Sequence, residues 1–275
     1  MQKKCAYCGK IGDLTKEHII PNFLCKKHPK QNFGYSQKAD RYITWQAVIK
    51  DVCGDCNNGP LSELDEYGEE FYTKNKCYRN FTSRKNIGLF YDYETLLRWF
   101  LKITYNCIRA HKQNLPDILF QAVPFIIDGK KIKQFRSEIY IEVIKDYILK
   151  GDDWKSVPEE IQKLGRLPAE FFRIGAMNYS NIDISNFISR YIVINSYFFY
   201  IFIFPINFDV SDEKKLLRTF KEKIGQAAKL NPKNKHINFK VSKRDSLQAY
   251  EEQGNTELDK WRNHRMSVEG SYFVK

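Results

Sequence analysis

The sequence predicts an α+β protein with a small, metal-stapled N-terminal unit, on three observations. Two C-x-x-C knuckles stand near the N-terminus, Cys5/Cys8 and Cys53/Cys56. The stretch "YETLLRWFLKITYNCIRAH" carries apolar residues at helical spacing, at Leu96, Phe100, Ile103 and Cys107. The stretch "YIVINSYFFYIFIFPINF", residues 191–208, is uncharged and rich in β-branched and aromatic side chains. Its central Asn195-Ser196 marks a turn between two buried strands rather than the middle of a membrane span.

In chain order, "RYITW" (41–45) and "AVI" (47–49) read as strand. From Pro60, "PLSELDEYGEEFYTKN" reads as a helix, with proline early and acids in its first turns, as the macrodipole prefers. Asp65 and Glu66 are assigned to that role. The polar, basic stretch 74–88 divides the chain into residues 1–78 and 79–275. Past it comes the buried helix around Trp99, which is expected in the core. "AVPFIIDGKKIKQF" reads as two short strands about an Asp128-Gly129 turn, and "EIYIEVIKDYIL" (138–149) suits strand or helix equally. Ser211 is placed as the cap of a helix running from 212 to 230.

The chain has 275 residues and a formal net charge of +12, with 43% hydrophobic residues. That composition suits a packed core and a polyanionic partner, nucleic acid before membrane. Seven cysteines, an odd number, without an apolar leader at the N-terminus, argue for reduced thiols and a cytoplasmic setting. Cys25, Cys77 and Cys107 stand alone and read as small core residues.

Four thiolates in two knuckles match tetrahedral zinc. The knuckles are separated by residues 9–52, so a segment is inserted between them, and it carries "DLTKEHIIPNFL". Phosphodiester hydrolysis needs a base near neutral pH, for which imidazole serves. It also needs a divalent cation with few oxygen ligands. His18 supplies the first. Glu17 and an amide of Asn57 or Asn58, just past Cys56 at a helix start, supply the second. His28, His111, His236 and His264 read as surface, and the basic stretch 221–244 as a face that tracks a nucleic-acid backbone or simply meets solvent.

"CAYC…EHIIP…CGDCNN" resembles the HNH endonucleases, over about the first quarter of the chain. The resemblance implies a ββα-metal, treble-clef-like unit braced by zinc on Cys5, Cys8, Cys53 and Cys56. It implies His18 as general base, with Glu17 and Asn57 (Asn58 as the alternative) holding Mg²⁺ or another divalent ion. Pro21 fits the family's proline. Three positions depart from the pattern. The acid is Glu17 where Asp is commoner. Pro60 stands where a lysine is common. The middle Asn that orients the histidine is absent, its place falling near Val48, with Gln46 or a backbone carbonyl as substitutes. DNA is the implied substrate, with RNA open. The remainder of the chain is assigned to specificity, sensing, or contact with a partner or a second copy, an architecture suited to restriction or antiphage defence. Two rivals stand beside the enzyme: a zinc-stapled module that only binds DNA, and a nuclease subunit silent until a partner or signal binds.

Overall fold

A computed structural model describes residues 3–27, 33–36, 41–44, 48–110, 116–130, 135–152, 159–169, 172–177 and 186–252. Gln46, His28, His111 and His264 lie outside them. The chain is mixed α/β with several small sheets. It begins with β1 (Leu14–His18), α1 (Asn22–Lys27), β2 (Phe33–Ser36), β3 (Arg41–Thr44), β4 (Val48–Cys53), α2 (Gly54–Asn58) and α3 (Pro60–Lys74). Next are β5 (Asn86–Phe90), α4 (Tyr93–Ala110), α5 (Asp117–Asp128), β6 (Phe135–Val143), β7 (Tyr147–Ile148), α6 (Glu159–Leu164) and β8 (Arg166–Leu167). The chain continues with β9 (Phe172–Ala176), β10 (Ile188–Ile194), β11 (Tyr197–Pro205), α7 (Val210–Lys223), β12 (Ala228–Lys229), β13 (His236–Lys240) and α8 (Ser246–Glu252).

The largest sheet is antiparallel, in the order β12-β6-β11-β10-β9. Its central strand β11 is buried on both faces, which is why "YFFYIFIF" reads as an unbroken apolar run. Tyr197, Phe199, Ile201 and Ile203 face one core, shared with α3, α4 and α5. Phe198, Tyr200, Phe202 and Phe204 face a second core under α7. Asn195 adopts φ 51° at the β10–β11 turn, the left-handed conformation that Asn tolerates. Among the described residues, no helix is long and apolar enough to cross a membrane. The first core runs without a break across residues 74–88, through Cys77 and Phe81, from Cys5 to Val241.

Helix α4 is the axis of that core. Trp99 and Phe100 are fully buried, as expected. Gly68 of α3 lets the two helices approach closely: a Cβ there would lie 2.4 Å from the Trp99 ring. Cys25 and Cys77 are buried and Cys107 is half-buried.

Several expectations are corrected. Residues 117–128 form a helix, not strands around a hairpin turn. Asp128-Gly129 is a helix stop: Gly129 takes φ 65° and donates its N–H to Phe125 O. Leu119, Val123 and Ile126 then form one buried face, and Arg98 binds the final carbonyls of Ile126 and Ile127. The ambiguous 138–149 is extended rather than helical: β6 runs to Val143, paired with β11 along its whole length, and the short β7 follows at Tyr147–Ile148. Asp209, not Ser211, caps α7, accepting from the N–H groups of Ser211 and Asp212. That helix stops at Lys223 rather than 230, because Ala228 and Lys229 pair with the outer edge of β6.

Candidate metal and catalytic site

Two knuckles meet because the chain hydrogen-bonds them together. The first closes on itself, Cys5 N–H to Lys10 O at 2.9 Å and Gly9 N–H to Cys5 O at 2.9 Å. Ala6 N–H then donates to Asp51 O (2.8 Å), and Cys53 N–H to Cys5 Sγ (3.3 Å). The second knuckle sits where β4 hands over to α2. The four Sγ atoms all lie within 4.8 Å of one another, with Cys8 and Cys53 3.6 Å apart. Thiolates about 2.3 Å from one tetrahedral ion stand about 3.8 Å from each other. The four cysteines are therefore close enough, and of the right chemistry, to hold a zinc ion. Burial pushes the Cys5 thiol up, but N–H donors of Cys53, Cys8 and Tyr7 outweigh it and bring it down to about 7. The Cys8 and Cys56 thiols are pushed the other way, by burial first and by the neighbouring sulfurs after it.

β1 and β4 pair antiparallel, Leu14 opposite Cys53 and His18 opposite Val48, with a bulge between Thr15 and Glu17. The inserted motif thus lies alongside the strand that leads into the second knuckle. Asn57 completes the contact: its Nδ2 donates to Thr15 Oγ1 (2.8 Å) and Lys16 O (2.9 Å). Its Oδ1 is the side-chain atom left for other work. Asn58 is exposed on the same short helix. Val48, the position where the middle Asn of the motif falls, lies directly across the ladder from His18, and its side chain has no hydrogen-bonding atom.

Glu17 and His18 differ in setting. Successive strand residues point to opposite faces. His18 is half-buried, whereas Glu17 is 4% exposed and turned toward α4. Its Oε1 meets Lys102 Nζ at 2.9 Å and accepts from Asn106 Nδ2 at 3.0 Å. Lys102 is itself buried, paired with Asp65 Oδ2 (2.7 Å) and donating to Leu61 O (3.2 Å). Asp65 also accepts from Trp99 Nε1 (3.2 Å), so it belongs to this polar knot rather than to the start of α3. Asn106 Nδ2 reaches His18 O as well (3.1 Å), and its Oδ1 accepts from Tyr7 OH (2.6 Å) and Arg109 Nη2 (2.8 Å). Tyr105 OH donates to Ala6 O (2.9 Å). One face of α4 therefore grips the first knuckle and the strand that bears Glu17 and His18.

Sequence reasoning missed Lys102, Asn106 and Arg109. Their signal is visible in hindsight. A helix buried over most of its surface carries Lys102 and Asn106 four residues apart, on one face, where a buried cation and a buried amide require partners.

No family model matches the chain, and no curated protein or solved structure matches it either.

Proposed function

We propose that the chain is a metal-dependent endonuclease of the HNH type, braced by a structural zinc on Cys5, Cys8, Cys53 and Cys56. The observation that carries this reading is the meeting of the two halves of the motif. Asn57, directly after Cys56, is hydrogen-bonded to Thr15 and Lys16, immediately before Glu17 and His18. A nucleic-acid-binding knuckle with no catalytic role has no need of a histidine and an amide brought to the same strand.

In this reading the His18 imidazole takes a proton from water, whose oxygen attacks phosphorus as the bond to the 3′ oxygen breaks. The leaving 3′ oxygen takes a proton from solvent, and the products are a 5′-phosphate and a 3′-hydroxyl. A divalent ion, when bound, stabilises the charge on the phosphate and on the leaving oxygen. Asn57 Oδ1 and the Glu17 carboxylate would be the oxygen ligands that hold it. Glu17 Oε1 is already engaged by Lys102 and Asn106, so Glu17 serves through Oε2 or by exchanging Lys102. DNA is the substrate of choice, in keeping with the charge of +12.

Incubation with supercoiled plasmid and Mg²⁺ or Mn²⁺ tests the reading. The wild-type chain is expected to nick it, and His18→Ala to lose at least a hundredfold in rate, within the general-base range of about 10²–10⁴. No nicking with either ion, or equal nicking by the variant, sinks it.

The buried Glu17–Lys102 pair favours a second reading, in which Glu17 is purely structural and the unit binds nucleic acid without cutting. A third outcome, cutting only in the presence of a cellular partner, would identify the pair as a contact that the partner opens.

A further inference from the structure

The two-stranded ribbon β5–β13 has an unusual outer face. Ile87, Leu89, Ile237 and Phe239 turn inward to the core. Outward, the cross-strand pairs are Phe90 with His236, Gly88 with Asn238, and Asn86 with Lys240. The row contains no acid. Phe90 is 45% exposed, a large apolar ring at the surface of a strand. The His236 ring lies 4.5 Å from it, centroid to centroid, and Lys74 Nζ stands 4.9 Å over it. Nearby, Asp92 is neutralised by Lys235.

This ring is also held in place with care. Asn75, at the end of α3, accepts from the Phe90 N–H (2.7 Å) and donates to the Phe90 carbonyl (2.8 Å). A side-chain amide thus substitutes for a neighbouring strand on one side of Phe90, while on the other β13 lies alongside and is bonded by the next residue, Tyr91 N–H to Lys235 O. The Asn75 side-chain amide donates also to Phe71 O (3.0 Å), and the Asn75 backbone carbonyl accepts from Tyr197 OH (2.9 Å). An exposed aromatic whose backbone is clamped on both sides is preorganised for contact with something flat.

We infer that this face binds single-stranded nucleic acid, with a base stacked on the Phe90–His236 pair and phosphates on Lys74 and Lys240. The chemistry selects the partner. Aromatic rings on a flat strand surface, with cations and amides beside them, are the elements by which single strands are held. A duplex hides its base faces and offers nothing to stack. A base laid on Phe90 takes the place of the Lys74 ammonium, which then turns to the phosphate. The two ends of the platform, Phe90/His236 and Asn86/Lys240, lie about 13 Å apart along the strands. The inference deepens the nucleic-acid part of the proposed function and does not depend on hydrolysis.

Fluorescence anisotropy with a labelled 15-nucleotide single strand, as DNA and as RNA, against the matching duplex and anionic vesicles, tests it without added divalent ion. The single strand is expected to bind more tightly than the duplex. Phe90→Ala should weaken single-strand binding about five- to a hundredfold. Lys74→Gln with Lys240→Gln should lower the slope of log affinity against log salt by about 1.4, from roughly 0.7 per lost phosphate contact. These side chains are exposed, so zinc content and circular dichroism should be unchanged. Equal or tighter binding of duplex or vesicles, or indifference of binding to Phe90→Ala, overturns the inference. A chain that binds through Phe90 yet never nicks plasmid keeps this inference and defeats the nuclease reading. A chain that nicks yet ignores Phe90→Ala does the reverse.

Discussion

The knuckle region and the five-stranded sheet share one apolar core but are fastened to it differently. Around β10 and β11, strands buried on both faces meet aromatic rings from either side: Phe199 lies 4.9 Å from Phe100 and 5.8 Å from Phe71, and Phe202 lies 5.0 Å from Phe220, centroid to centroid. The knuckle region has few such rings. Its two short strands add to their share of that core four convergent thiols and a buried polar knot supplied by α4. The difference teaches where order is conditional. Apolar burial needs only the chain itself, whereas a set of thiols that could hold a metal gains stability when one binds, and the knot needs every member present.

The largest expected effect comes from removing the metal. Cys53→Ser, or strong chelation, should release the zinc and cost on the order of 10 kcal/mol of local stability. Hydrogen exchange should then deprotect the amides of β1 and β4 while those of β10 and β11 stay protected. Equal deprotection of both regions would break the contrast.

Phe199→Ala should act on the other side of the comparison. It opens a cavity where β11 meets α3 and α4, at a cost of about 3–5 kcal/mol. Urea unfolding should show the loss as a global shift of midpoint, since this ring belongs to the core that both regions share.

Lys102→Met sharpens the role of the knot. It leaves Glu17 and Asp65 without the buried cation that both contact, at a cost of about 3 kcal/mol. Adding Glu17→Gln should restore part of the loss, because one uncompensated charge is then gone. A Lys102→Met protein as stable as wild type would show that the knot adds nothing to the apolar core and the cysteine set.

Element by element, the sequence was legible where one signal had one meaning. Pro60 with its acids marked the start of α3, and Asn195-Ser196 marked the turn between β10 and β11. It misled where a signal had two meanings. Asp128-Gly129 serves a hairpin or a helix end, and the choice fell to the apolar face that α5 packs against α4. Ser211 and Asp209 are both acceptable caps, and local geometry chose Asp209. For the candidate site, the four cysteines were readable from spacing alone, because C-x-x-C brings two thiols to one turn. The environment of Glu17 was not, since Lys102 and Asn106 lie 85 and 89 residues away.

By itself, then, the sequence determined the four-cysteine set that could hold a metal, the adjacency of Glu17 and His18, the long buried helix and the apolar strand pair. Each follows from local spacing or periodicity. Only the tertiary structure decided that Asn57 lies against the strand of His18, that Glu17 is paired with a buried lysine, and that an aromatic, acid-free face closes the far end of α3. Those are contacts between distant segments, and their energies depend on burial and partners that no local pattern encodes.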